Sequence, residues 1–136
     1  MAMSNHQPRI YLVEDSPIIL NLLIELIQAT NANIVGHSDS AKAAVADIDA
    51  LHPDVITIDL LLKRGNGFDV LKEIAKKKPD ERPLRIVLTN YTTDAYRDAA
   101  QRLGVEHFFD KATEIRKVLS VLTSMVSSSN QGAVAA

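Results

Sequence analysis

The chain has 136 residues, 46% of them hydrophobic, which suits one domain with a substantial buried core. Its formal net charge of -2 gives no electrostatic reason to expect direct binding of nucleic acid or of an anionic membrane surface. The absence of cysteine excludes disulfides and thiolate metal sites. Residues 1–8 lack an apolar signal segment, and no apolar run is long enough to span a bilayer, so a cytoplasmic protein is expected.

Strand-like and helix-like segments alternate along the chain. The strands are predicted at Arg9–Val13, Asn33–His37, Val55–Ile58, Arg85–Leu88 and His107–Asp110. The helices are predicted at 16–30, 40–51, 68–78, 93–103 and 115–125. This alternation indicates an α/β domain over residues 9–126, with a doubly wound parallel sheet. The flanking segments 1–8 and 127–136 are expected to be disordered.

The first predicted helix has an apolar arc wider than one contact with a sheet requires. Helical spacing assigns to the core stripe Ile19, Leu22, Leu23 and Leu26. Three further apolar residues lie near the outer flank of the arc: Leu20, Ile24 and Ile27. These flanking side chains are either covered by neighbouring helices or form a surface for a partner protein.

Polar side chains stand at the ends of four predicted strands. They are Glu14 and Asp15, then Asp59, then Thr89, and finally Lys111. Parallel pairing brings strand ends to one edge of the sheet, where ligands of open α/β folds bind. The three carboxylates form a hard oxygen cluster that suits Mg²⁺ better than zinc.

Such a cluster supports phosphoryl chemistry on an aspartate. Asp59 can act as a nucleophile that accepts a phosphoryl group, with Lys111 and the Thr89 hydroxyl binding its oxygens. Each residue also has an ordinary structural explanation. Thr89 could be a strand-end hydroxyl, Lys111 a surface charge, and Glu14 and Asp15 helix-capping acids. The chain contains neither of the two common glycine-rich phosphate motifs, G-x-G-x-x-G and G-x-x-x-x-G-K-[ST], which removes the main support for nucleotide binding.

The order and spacing of these polar residues resemble the receiver domain of two-component response regulators. The resemblance covers about residues 9–126 and implies the flavodoxin-like strand order 2-1-3-4-5. It implies that Asp59 takes a phosphoryl group from a histidine kinase or a histidine phosphotransfer protein. Mg²⁺ would be held by Glu14, Asp15, Asp59 and the backbone carbonyl of Leu61. Thr89 and Phe108 would form the switch that signals to a downstream protein.

The same resemblance implies a phosphorylated signalling protein rather than an enzyme, because its only catalysis would be phosphoryl transfer to and from its own Asp59. No output domain follows the last predicted helix, so a stand-alone receiver acting through protein contacts is expected, as a monomer or weak homodimer. A cut piece of a longer protein is the other possibility.

Three residues depart from the usual receiver pattern: Lys63 and Ala112 stand where proline is common, and Asn90 where a small residue is common. None removes a chemical group from the site. We expect a trans bond between Lys111 and Ala112, because a cis bond that does not involve proline costs about 2.5 to 4 kcal/mol. Leu61, Asn90 and Tyr91 are expected to form the rim of the site and to slow hydrolysis of the acyl phosphate.

Two other functions remain open. A pseudo-receiver would bind partners without phosphorylation, although all five characteristic site residues are present. An aspartate-nucleophile phosphohydrolase is less favoured, because those enzymes resemble one another in a second Asp two residues after the nucleophile, where this chain has Leu61.

Overall fold

The computed structural model describes the backbone of residues 7–135 and the side chains of residues 7–126. The strands are β1 (Arg9–Val13), β2 (Asn33–Ser38), β3 (Val55–Ile58), β4 (Leu84–Thr89) and β5 (His107–Asp110). The helices are α1 (Pro17–Gln28), α2 (Ala41–Leu51), α3 (Gly67–Ala75), α4 (Asp94–Arg102) and α5 (Lys117–Ala135). A short 3₁₀ helix at Pro79–Glu81 precedes β4.

The five strands form one parallel sheet in the order β2-β1-β3-β4-β5, so the predicted flavodoxin-like α/β topology is confirmed. Successive side chains of a strand point to opposite faces of the sheet, which gives two cores. Ile56 and Ile58 of β3 face a cluster that includes residues of α2, α3 and α4. Val55 faces a second cluster formed with α1 and α5. The sheet is therefore covered on both faces, as its uninterrupted apolar strands require.

Side-chain caps place the helix starts next to the strand ends. Ser16 accepts a hydrogen bond from the backbone of Ile19, and Pro17 stands in the first turn, where its missing N–H costs nothing. Thr93 accepts a hydrogen bond from the backbone of Tyr96 and caps the start of α4.

The apolar face of α1 differs from the prediction. The side chains that pack into the second core are Ile19, Leu20, Leu23, Ile24 and Ile27. Leu22 was assigned to the core but is 37% exposed, and Ile18 is 80% exposed. Leu20 and Ile24 are partly buried against this core, which favours cover by neighbouring helices, and their role in partner binding stays a prediction. Because the apolar arc is wider than the contact, periodicity alone could not locate its centre.

Two predictions concern the chain ends. The backbone of α5 continues to Ala135, into the segment 127–136 for which disorder was predicted. The side chains from residue 127 onward and residues 1–6 lie outside the described part of the chain, so the boundaries of the terminal segments stay predictions. Among the residues that are described, no helix combines the length and the apolar character needed to cross a bilayer.

Candidate functional site

The predicted polar residues meet at the carboxyl edge of the sheet. Glu14 and Asp15 follow β1, Asp59 follows β3, Thr89 ends β4, and Lys111 follows β5. Parallel pairing in register brings these four strand ends to one edge. The arrangement therefore follows from the topology and not from any local motif.

Asp59 is the hydrogen-bonded centre of this group. The hydroxyl of Thr89 donates to Oδ1 of Asp59 at 2.9 Å. The ammonium of Lys111 lies 2.5 Å from Oδ2 of Asp59 and 2.9 Å from Oε1 of Glu14. These four residues are all buried, with at most 7% of any one exposed. Buried charges are costly unless paired, so the ammonium and the two carboxylates depend on one another for their stability.

Burial and ion pairing shift the pKa values of Glu14 and Lys111. The pKa of Glu14 is raised because burial disfavours the carboxylate, and hydrogen bonds from Lys111 and Ser16 only partly offset this. For Lys111, burial acts to lower the pKa, but the hydrogen bonds to Asp59 and Glu14 outweigh it and the pKa is raised. Lys111 therefore stays charged, whereas Glu14 takes up a proton more readily than an ordinary glutamate.

Three carboxylates could hold a hard cation. Glu14, Asp15 and Asp59 each offer one oxygen, and these oxygens all lie within 4.8 Å of one another. Asp15 is more open than the other two and accepts a hydrogen bond of 2.7 Å from the backbone N–H of Lys63. All-oxygen ligands at this spacing fit Mg²⁺ with several retained waters.

The loop after β3 is shaped by close backbone packing around Asp59. The backbone N–H of Leu61 donates to Oδ1 of Asp59 at 3.3 Å, and that of Gly67 donates to the carbonyl of Leu60 at 2.8 Å. A Cβ atom at residue 67 would lie 2.3 Å from the carbonyl oxygen of Asp59. Glycine is required there because any side chain would push the loop away from the strand end.

The predicted switch residues have different surroundings. Thr89 is fully buried and already bonded to Asp59. Phe108 is half-buried against the first core. The guanidinium of Arg97, on α4, lies over the Phe108 ring at 4.6 Å from its centre, and its Nε donates to the carbonyl of Thr92. Arg97 therefore holds the ring by a cation–π contact.

The predicted rim residues are all exposed and lie within two residues of Asp59 or Thr89 in the chain. Leu61 is 38% exposed and Tyr91 is 45% exposed, and Asn90 is also exposed. The backbone N–H of Tyr91 donates to the Thr89 hydroxyl at 3.2 Å, while its ring meets Tyr96 edge to face. Backbone contacts therefore join Leu61 and Tyr91 to Asp59 and Thr89, whereas the rim role of Leu61, Asn90 and Tyr91 and its effect on hydrolysis stay predictions.

The bond between Lys111 and Ala112 is trans, as predicted, since no peptide bond among the described residues is cis. The backbone N–H of Ala112 donates to the Asp110 carboxylate at 2.8 Å, which fixes the turn after β5 without a proline.

Two contacts could not be found from the sequence. The first is the backbone N–H of Lys63 on Asp15, which has no residue-type signal because any amino acid but proline offers that donor. The second is the cation–π contact of Arg97 with Phe108, which joins α4 to β5. In the sequence, Arg97 is only one of the charged residues on a predicted helix, and nothing indicates its aromatic partner.

Fold and site define a flavodoxin-like α/β domain with an acidic cluster and a buried lysine at the carboxyl edge of its sheet. The sequence matches the response regulator receiver domain family over residues 10–123, so the chain belongs to this family of two-component signalling domains.

Curated relatives and solved structures agree. The chain is 26% identical over 117 residues to the chemotaxis protein CheY of Thermotoga maritima, covering 86% of this chain and 96% of that protein. It is 33% identical over 87 residues to the transcriptional activator DevR/DosR of Mycobacterium tuberculosis, covering 63% of this chain but 39% of the activator. The response regulator domain of Thermotoga maritima CheB superposes with a TM-score of 0.76 at 27% identity, over 93% of this chain and 98% of that one.

Proposed function

We propose that this protein is a phosphorylated receiver: Asp59 accepts a phosphoryl group from a histidine kinase or a histidine phosphotransfer protein, with Mg²⁺ as cofactor. The observation that carries the proposal is the convergence of an ammonium and a hydroxyl on the two oxygens of one buried carboxylate. A phosphoryl acceptor needs donors near its carboxylate that can bind the incoming phosphoryl oxygens, and Lys111 and Thr89 are such donors.

The chemistry follows from these contacts. An oxygen of Asp59 attacks the phosphorus of the donor's phosphohistidine, a P–O bond forms and the P–N bond breaks. The imidazole nitrogen keeps the electron pair of that bond and takes up a proton. Lys111 and Thr89, which bind the Asp59 carboxylate before the transfer, then also bind phosphoryl oxygens. These preorganised donors stabilise the negative charge that develops on the phosphoryl group.

The oxygen cluster suits the proposed cofactor. Glu14, Asp15, Asp59 and the backbone carbonyl of Leu61 would hold the ion, and the charge it supplies would offset that of the phosphoryl group. Without it, the negative donor would approach a site that contains three carboxylates and one ammonium.

The signal would leave the site through Thr89 and Phe108. When Thr89 donates to a phosphoryl oxygen instead of Asp59, its position changes, and the space beside Phe108 changes with it. We propose that this shifts the surface built from α4, β5 and α5 between two arrangements with different affinity for a downstream protein. Protein rather than nucleic acid is proposed as the direct partner because the net charge is -2. A cytoplasmic location is part of this proposal.

Intact-mass measurement tests the acceptor. The protein is incubated with Mg²⁺ and acetyl phosphate, or with a phosphorylated histidine phosphotransfer protein, and we expect the mass of one added phosphoryl group. Asp59→Asn keeps the side-chain shape and should remove the label. A label that persists in Asp59→Asn would place the acceptor elsewhere. No label from either donor, together with unchanged partner binding in Asp59→Asn, would favour a pseudo-receiver.

A further inference from the structure

A groove between α2 and α3 lies outside the Asp59 site. It has a volume of about 780 Å³, within the range of small-molecule sites. Its walls are the first turns of α2 on one side and α3 on the other, and the loop before α3 closes one end. The lining residues that matter here are Lys42, Val45, Arg64, Asp69, Lys72 and Lys76.

Positive charge is concentrated in this groove although the chain as a whole is negative. Four cations line it, against two carboxylates, Asp69 and Glu73. Glu73 is paired with Lys76 at 2.7 Å. The side chains of Lys42, Arg64 and Lys72 are exposed and make no ion pair or hydrogen bond with any residue that the structure describes.

These cations repel one another in the empty groove. Lys72 lies on α3 without an ion pair among the described residues, whereas Lys76, directly after the helix, is paired with Glu73. Arg64 and Lys42 add two more positive charges to the same space. A multivalent anion would relieve this repulsion and would satisfy several unpaired donors at once.

The backbone that carries Arg64 is held in place. Its carbonyl accepts the N–H of Ala41 at 2.9 Å, and the following residue, Gly65, has a positive φ of 85°. A Cβ atom at Gly65 would lie 2.7 Å from that of Ala41. The loop therefore packs directly on the start of α2, where the N–H groups of Ala41 and Ala43 are already hydrogen-bonded, to the Arg64 carbonyl and the Ser40 side chain. The attraction for an anion therefore comes from the cationic side chains, with Arg64 on a held backbone, and not from the helix end.

The length of the groove limits what it can hold. Beyond Val45, the helices close together, and an ion pair between Lys77 and Asp49 joins them. A pocket with ends fits a compact ligand better than an extended acidic segment of a partner protein. Guanidinium and ammonium groups around one space are the usual donors for phosphate oxygens.

We propose that the α2–α3 groove binds a small anion with two or more phosphate groups, with Lys42, Arg64 and Lys72 as its ligands. Two sources share this chemistry: an inorganic polyphosphate and the phosphate chain of a nucleotide. Such a site is separate from Asp59, so it stands or falls independently of phosphorylation.

Calorimetric titration of the full chain without Mg²⁺ tests the proposal, with tripolyphosphate and ATP as the two probes. The variant Arg64→Gln/Lys72→Gln should bind at least about tenfold more weakly, because two charge-assisted contacts are lost. The control Lys78→Gln/Arg102→Gln removes the same charge outside the groove and should keep the affinity within about twofold. Tighter binding of ATP than of tripolyphosphate would identify a nucleotide, and equal binding would identify the phosphate chain alone.

Three outcomes would overturn the proposal. The first is no binding of either probe at millimolar concentration. The second is an equal loss of affinity in both double variants, which would mean attraction by overall charge. The third is binding of a short polyglutamate peptide, lost in Arg64→Gln/Lys72→Gln, while neither phosphate probe binds. That result would assign the groove to an acidic protein segment.

Discussion

The ammonium of Lys111 lies 2.5 Å from Oδ2 of Asp59, so the proposed phosphoryl-binding cation already pairs with the proposed phosphoryl acceptor. The same ammonium reaches Glu14, and it supplies the positive charge that this buried pair of carboxylates needs. A divalent ion bound to the same oxygens would neutralise these carboxylates together with Lys111 or in its place. Lysine and metal are therefore expected to compete in the unphosphorylated protein.

Replacing Lys111 tests this competition. We expect Lys111→Met to bind Mg²⁺ severalfold more tightly, because the carboxylates lose their internal cation, and to be labelled more slowly by acetyl phosphate. Calorimetry gives the affinity and intact mass gives the rate of labelling. Lys63→Met is the matched control, since it removes an exposed ammonium whose backbone alone contacts the site. Equal or weaker Mg²⁺ binding in Lys111→Met would contradict competition.

Glu14 should make Mg²⁺ binding sensitive to mild acid. Burial raises its pKa above the ordinary value of 4.5, and only the carboxylate form binds the ion. As the pH falls through the raised pKa, Glu14 takes up a proton and the affinity for Mg²⁺ should drop before an ordinary glutamate would titrate. Titrations at several pH values measure this.

Two variants separate Glu14 from the other ligands. Glu14→Gln should bind Mg²⁺ more weakly and lose this acid-dependent step. Asp15→Asn should lose most of its affinity for Mg²⁺ at every pH, because it removes a carboxylate that a hard cation requires. It should keep the further loss of affinity in mild acid that Glu14 causes. An affinity in the parent protein that stays constant down to the ordinary glutamate pKa would show that Glu14 is not a ligand.

The β3 strand contains a stability defect at Thr57. Its side chain is 1% exposed, and its hydroxyl has no hydrogen-bond partner among the described residues. Thr57→Val keeps the shape and removes a buried unpaired hydroxyl, so the free energy of unfolding should rise by about 1 kcal/mol. Urea denaturation measures it. Thr57→Ser, which keeps the hydroxyl and loses the methyl, should be less stable by a similar amount. A less stable Thr57→Val protein would mean that the hydroxyl is bonded in solution.

The topology was predictable because it depends on buried, β-branched strands such as Val55–Ile58 and on helix-start residues such as Ser16 and Pro17. Parallel pairing then carries Asp59, Thr89 and Lys111 to one edge without further information. Their convergence was therefore predictable from the order of the strands.

Details that depend on how elements rotate and pack were not predictable. The contact stripe of α1 is centred away from Leu22. Its position was not predictable because the apolar arc of this helix is wider than the contact. The bond of Lys111 to Glu14 rather than to Asp15 depends on side-chain directions that two adjacent acids do not reveal. Arg97 stacks on Phe108 only because α4 crosses beside β5, which no local pattern encodes.

Arg97 should restrain the proposed switch. A cation–π contact is worth about 1 kcal/mol, a factor of about five in a two-state equilibrium. In Arg97→Gln, Phe108 should leave its position more often without phosphorylation, so amide exchange at Tyr96, Ala99 and Ile115 should change less on phosphorylation than in the parent. Arg102→Gln, an exposed position in the last turn of the same helix, should behave like the parent. An unchanged exchange difference in Arg97→Gln would exclude this restraint.

The rim residues should control the lifetime of the phosphorylated state. Water must approach in line with the bond between Asp59 and the phosphoryl group, and the exposed apolar side chain of Leu61, two residues after Asp59, offers it no hydrogen bond. Leu61→Asn supplies a polar side chain that can orient a water molecule, so the label should be lost severalfold faster. Intact mass followed over time measures the loss. Leu61→Met, which stays apolar, is the matched control and should keep the parent rate.

Asn90 should act on entry rather than on loss. It is exposed beside the site and bulkier than the small residue usual at this position in receivers, so it should hinder a small donor that no protein interface positions. Asn90→Ala should therefore be labelled faster by acetyl phosphate but at an unchanged rate by a phosphorylated histidine phosphotransfer protein, whose docking already places the phosphohistidine. If Asn90→Ala and Leu61→Asn both keep the parent rates, these side chains do not gate the site.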